Sequence, residues 1–398
     1  MVPPRPFTGS KPWALILCKF SNHPEEPQNA QFFRDFVTRG NHGINDYFND
    51  VSYGNINLDG SDVFGWFDLP YTLETDQTRG RWDRVVSAIN AVADRVDFRP
   101  FYGIAVMLNA PVDSGGFSGP GTLTLNGQTK AYGLVVLDNL AWGNTWAAQE
   151  MAHGYSLVHS WSADPDTEYG NPFDVMSAFT NNYGFTDTRF ATSGPGMNAS
   201  NLDLFAWIPD SRIWHNSHSQ IINLTALNRP GGSGYLMAKF DSGGKNYTVE
   251  LRCREGWDAG IPEDAVVIHE VRSDGRNFVI RNGFRFYWKS GDVFVTVAPS
   301  LLNPAGEKIE IKEFKEAVYE IFKQFGSEVF DPFKNFVIDP PYVIGLEKRL
   351  KEAQEKLRTL EQQMQQKSPF IKHSDLPPVG IHVSGISRKG DKNDSDYQ

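Results

Sequence analysis

Residues 149–159, QEMAHGYSLVH, constrain this chain more than any other stretch. Read as a helix, they put Gln149 and His153 one turn apart on a single face, with Glu150 beside it. That is the spacing of H-E-x-x-H, in which two imidazoles hold a zinc ion and the Glu between them serves as general base. Gln149 stands where the first His is expected. Its amide oxygen is a neutral donor, like imidazole, but a poorer one for zinc. Affinity should fall, and selectivity should drift toward another divalent ion. In the longer pattern H-E-x-x-H-x-x-G-x-x-H, a glycine of positive φ turns the chain so that a third His reaches the metal. His159 stands at that third place. Ser156 replaces the glycine, at a cost of roughly 1 kcal/mol for a left-handed non-glycine residue. Gly154 is expected to absorb part of the bend.

Bulk properties limit what surrounds this stretch. The chain has 398 residues, 40% of them hydrophobic, enough for two or three domains with a packed core. A formal net charge of −10 argues against nonspecific nucleic-acid binding, which needs a basic face. Only Cys18 and Cys253 occur, so neither a disulfide framework nor a Cys-built metal site is expected, and Cys18 reads as a core residue. No stretch approaches the ~20 apolar residues of a membrane span. The first twenty residues lack a signal-peptide layout, so the compartment expected by default is the cytoplasm.

Along the chain, residues 13–20 read as a buried strand, 30–39 and 43–50 as helices, and 51–70 as a β-hairpin. Residues 79–95 give an amphipathic helix, 102–111 a strand, 114–121 a Gly-rich loop and 132–139 a strand. The metal-motif helix should start near Ala141. Residues 219–300 hold short alternating runs separated by Gly, Asp and Pro, the pattern of an antiparallel sandwich or barrel. Residues 312–325 read as an amphipathic helix through Phe314, Val318, Ile321, Phe322 and Phe325. From Leu346 to Met364 apolar residues recur at coiled-coil spacing, which points to self-association, and the polar tail beyond reads as disordered.

A second local signal follows His159. The segment 171–177, NPFDVMS, looks like a Met-turn, with Met176 placed to lie beneath a metal ion. Together with 46–70, the 149–161 stretch and 248–272, it resembles the metzincin metallopeptidases of the gametolysin and immune-inhibitor-A type over roughly residues 13–300. Some gametolysin relatives carry Gln in place of the first His. The resemblance implies an α+β fold: a metzincin-like catalytic domain (13–215) with a mixed sheet and an active-site helix, then a β-sandwich-like domain (216–300). Residues 1–12 form an N-terminal tail, 301–344 a helical linker region, 345–366 the coiled coil and 367–398 a disordered tail. It implies Zn2+, or another divalent ion, held by Gln149, His153 and His159, with Glu150 as catalytic base, Met176 as the structural Met-turn residue, and a protein or peptide as substrate. The family is largely secreted. A catalytically inactive scaffold that binds protein partners and multimerises through the coiled coil is the competing expectation. Residues 164–168, DPDTE, offer oxygen ligands for Ca2+, although a solvated acidic loop accounts for them as well. His23 and His42 have no partners at ligand spacing, His215 and His218 read as surface residues of a domain junction, and His269, in an alternating strand, reads as structural.

Overall fold

Trp13–Lys19 is apolar at nearly every position and buried through Cys18, the signature of a strand covered on both faces. The computed structural model describes residues 5–112, 116–178, 182–215, 220–297, 307–315 and 318–324, which belong to one compact unit. In chain order its first part contains β1 (Gly9–Ser10), β2 (Trp13–Lys19), α1 (Ala30–Val37), α2 (Ile44–Val51), β3 (Ile56–Asn57) and β4 (Asp62–Asp68). α3 (Leu73–Gln77), α4 (Arg81–Asn90), β5 (Gly103–Leu108), β6 (Gly116–Leu125), β7 (Gln128–Asp138) and α5 (Asn144–Gly154) follow.

A five-stranded sheet in the order β4-β2-β5-β7-β6 carries this part. Its first four strands run parallel, and the edge strand β6 runs antiparallel to β7. Strand alternation sorts the core. Trp13, Leu15 and Leu17 face α1, α2 and α5, while Ala14, Ile16 and Cys18 face α4. The fold is therefore mixed α+β, with the motif helix lying on one face of a mixed sheet.

Two expectations in this part are corrected. The hairpin expected over 51–70 does not form: β3 pairs in parallel with β1, and β4 in parallel with β2. Alternation reports half-burial, and it does not report the partner or its direction. The Gly-rich stretch 114–121 lies largely in β6 rather than in a loop. Asn126 and Gly127, both at positive φ (51° and 76°), close the β6–β7 hairpin as a two-residue turn of the Asn-Gly kind. Gly121 is needed there because a Cβ would sit 2.6 Å from Leu134 Cδ1. Pro120 costs no ladder bond on an edge strand.

The second part contains β8 (Trp161–Ser162), β9 (Thr167–Glu168), β10 (Phe185–Asp187), β11 (Ala191–Ser193), α6 (Ala199–Leu204), β12 (Ile213–His215), β13 (Gln220–Thr225), β14 (Met237–Ser242) and β15 (Lys245–Arg252). β16 (Ala265–Val271), β17 (Asn277–Val279), β18 (Val293–Val297), β19 (Glu307–Lys315) and β20 (Val318–Gln324) complete it. A seven-stranded sheet, β12-β14-β15-β16-β17-β8-β9, and a four-stranded sheet, β13-β20-β19-β18, share a core that includes Ile222, Leu224, Val249, Leu251, Val266, Ile268, Ile309 and Ile311. The boundary expected at 215/216 runs through this seven-stranded sheet, since Phe278 and Val279 pair with Trp161 and Ser162.

Within the helix expected over 312–325 and the helical linker expected over 301–344, the described residues 307–315 and 318–324 form strands instead, and the remainder lies outside the described residues. β19 and β20 pair with each other, and β20 pairs with β13. The spacing of Phe314, Val318, Ile321 and Phe322 fits both periods, and a distant strand partner decided between them. The coiled coil (345–366) and the tail (367–398) lie outside the described residues. Among the described residues, no helix is long and apolar enough to cross a membrane.

α5 meets the sheet where side chains are smallest. A Cβ on Gly154 would lie 2.9 Å from Trp13 Cη2 and 3.2 Å from the Gly133 Cα. Gly154→Ala should therefore destabilise the protein by about 1–3 kcal/mol, read as a lower urea midpoint at unchanged slope. A raised midpoint, which the better helix propensity of alanine alone would give, would overturn this packing account.

Candidate metal centre

α5 is buried almost all round, because one side lies on the sheet and the other meets the segment after residue 170. It ends in a Schellman turn. Ser156 donates its N–H to the His153 carbonyl (2.8 Å), Leu157 donates to the Ala152 carbonyl (3.1 Å), and Ser156 sits at φ 75°. The left-handed turn thus falls on the residue that replaces glycine. Gly154 does not take up the bend: it is the last residue of the helix, and its missing side chain serves packing.

The turn brings His159 back to His153. Their ring centroids lie 4.6 Å apart, with planes at 80°. Each imidazole is tied at Nδ1, His153 to the Leu157 carbonyl (2.7 Å) and His159 to Glu168 Oε1 (2.7 Å). Both acceptors draw the proton onto Nδ1 and leave the Nε2 lone pairs for a ligand. Burial, helped by the neighbouring His159, pushes the His153 pKa down to about 4, so this ring is neutral at pH 7.

Gln149 and Glu150 are both buried, at 2% and 5% exposure. The Gln149 amide oxygen accepts the Ala178 N–H at 2.7 Å, and its Nε2 faces Glu150 Oε1 at 3.4 Å. One of the two lone pairs on that oxygen is therefore committed, and the second is left for a cation. Two imidazoles and one amide oxygen are a donor set whose chemistry suits a divalent ion. Among the described residues, no group of three His, Cys, Asp or Glu side chains is arranged to hold a metal.

Met176 lies fully buried in a 3-10 turn, Val175–Ser177, just before the Ala178 contact. Its N–H donates to Asp174 Oδ1 (3.3 Å), and its carbonyl accepts from the Ser160 N–H (3.2 Å). Asp174 is the hub of a buried polar network. It accepts from the Ser160 hydroxyl and from the side-chain amides of Asn198 and Asn201. Burial raises its pKa to about 6 against those hydrogen bonds. Close by, Arg252 pairs with Glu250 and Asp258 and donates to the Phe173 carbonyl, all without solvent contact. Asn198 is buried as the cap of α6. The sequence marked Glu168 only as part of an acidic stretch and Asp174 only as part of the 171–177 segment, and neither role was legible because their partners come from other segments.

Two carboxylates of the acidic stretch 164–168 already have partners. Asp166 takes the Arg272 guanidinium, and Glu168 takes His159. His215 lies at the end of β12 and is exposed, and His218 lies outside the described residues. A cavity of about 760 Å³ lies apart from the two imidazoles, walled by Val51, Met197, Leu202, Leu227 and Trp257. Comparison with family models, curated proteins and solved structures gives no significant match for the chain.

His269 supports this region from β16. It is fully buried, and its Nε2 accepts from Asn171 Nδ2 at 3.0 Å, ahead of the Val175–Ser177 turn. Burial, then the Arg252 charge, lowers its pKa from 6.5 to about 3. The native state refuses a proton that the unfolded chain takes, so this part of the stability is present above pH 6.5 and is lost as pH falls toward 3. His269→Gln should lower Tm at pH 7 and cost clearly less at pH 4. A gap that stays constant between the two pH values would contradict a neutral buried imidazole.

Proposed function

We propose that the chain is a metal-dependent endopeptidase of the metzincin type with a weakened metal site. The observation that carries this reading is the approach of His153 to His159 around Ser156, with both Nδ1 atoms tied and Glu150 buried beside them. The buried Met176 turn bonded to the residue after His159 adds support. His153 Nε2, His159 Nε2 and the open lone pair of Gln149 Oε1 would hold Zn2+ or another divalent ion. Such an ion supplies a Lewis acid that polarises a scissile carbonyl and acidifies water.

The rest of the chemistry belongs to the chain's own residues. Glu150 takes a proton from the attacking water and passes it to the leaving amine nitrogen. Its burial at α5 strengthens that role, because a carboxylate screened from bulk water interacts more strongly with nearby charge. His153 and His159 are oriented through their Nδ1 partners. Peptides or proteins are the substrates of this reading, and self-association through 345–366 accompanies it.

One observation favours the second reading, an inactive scaffold that binds protein partners: Gln149 Oε1 already bonds Ala178 N–H, which makes Gln149 a brace between α5 and the Met-turn. Three measurements separate the two. Glu150→Ala should lower chelator-sensitive casein hydrolysis by at least about 100-fold with zinc content unchanged; undiminished turnover in that variant would refute the mechanism. Gln149→His should raise both zinc affinity and activity. Zinc bound to the wild-type protein without any turnover would leave the scaffold standing.

A further inference from the structure

We propose that Glu168 is the positioning residue that makes His159 a competent metal ligand, an inference that rests on the metal-site reading above. The two imidazoles are held in different ways. His153 sits on α5, and the Leu157 carbonyl of its own Schellman turn accepts from its Nδ1. That arrangement is local and comes with the helix end. His159 lies in irregular chain with its side chain 25% exposed, so the backbone alone does not set the ring.

Two neighbours set it instead. Glu168 Oε1 lies 2.7 Å from Nδ1, and the Tyr169 ring covers one face with centroids 4.1 Å apart. Both neighbours come from the β8–β9 hairpin. Trp161 pairs with Glu168 across it, which brings the carboxylate back beside the residue two places before Trp161. The hairpin is in turn built into the seven-stranded sheet. Trp161 pairs with Phe278, Arg272 Nη2 donates to Asp166 Oδ1 at 2.9 Å, and the Arg272 guanidinium lies over the Phe278 ring at 3.5 Å. The orientation of His159 is thus set by the sheet that follows the motif region.

The chemistry follows from tautomerism. A carboxylate that accepts the Nδ1–H holds the neutral ring with its lone pair at Nε2, and it stabilises the positive charge the ring gains on ligation. The Glu168 side chain is 47% exposed, so its pair with His159 contributes little to folding. The effect should appear in ligand binding.

The test uses the full-length protein and its Glu168→Ala and Glu168→Gln variants. Long-range proton–nitrogen NMR of the metal-free protein at pH 8 should show His159 protonated at Nδ1 in wild type. Glu168→Ala should shift it toward the Nε2–H tautomer, and Glu168→Gln, whose amide oxygen also accepts, should restore the Nδ1–H form. Titration with Zn2+ against a competing chelator should show affinity about 10–100-fold weaker in Glu168→Ala, at unchanged Tm. An unchanged tautomer, or unchanged zinc affinity, in Glu168→Ala would overturn the assignment. Failure of wild type to bind zinc would overturn the metal reading instead, and the tautomer result would then decide the role of Glu168 alone.

Discussion

Ser156 at positive φ is the constraint on which the site depends. A serine in the left-handed region costs about 1 kcal/mol relative to glycine. Two Schellman hydrogen bonds and the burial of Leu157 to 4% exposure offset that cost. Without the reversal α5 would run on, and His159 would leave the helix on a face away from His153. With it, the two rings meet edge to face, and the chain passes directly into the β8–β9 hairpin.

Asp174 fixes what the reversal begins. A fully buried carboxylate without partners would be costly, and here every hydrogen bond it takes comes from a segment that matters to the site. The Ser160 hydroxyl ties down the residue after His159. The Met176 N–H shapes the Val175–Ser177 turn, and Asn198 and Asn201 bring in α6. Gln149 closes the ring from the other side through Ala178. The same side chain that would serve as a third donor is thus also a structural brace, which explains how the helix keeps its place against the turn without a histidine at this position.

Where burial alone shapes an element, its type could be read directly. The continuous apolar run of β2 and β5 and the one-sided periodicity of α1, α2 and α4 mark strands and helices without reference to any partner. Reading failed where a partner decides. In the edge strand β6, Gly121 is crowded by Leu134 and Trp82, and of the local signals the Asn126-Gly127 turn alone marks its hairpin. β4 alternates as a hairpin strand would but pairs in parallel with β2. β19 and β20 carry apolar residues that fit a helical stripe, and their pairing with each other and with β13 settled the matter.

The sequence by itself determined the chemistry-bearing helix, its ending at a left-handed residue and the buried Met176 turn, because short-range spacing and φ preferences govern all three. Only the tertiary structure decided how the donors are held. Leu157 holds His153, Glu168 holds His159 and Ala178 holds one side of Gln149, and no spacing rule connects Glu168 or Ala178 to the motif. The reason is physical: helices and tight turns are closed by hydrogen bonds a few residues apart, whereas the orientation of a side chain is set by whichever distant segment the sheets bring against it.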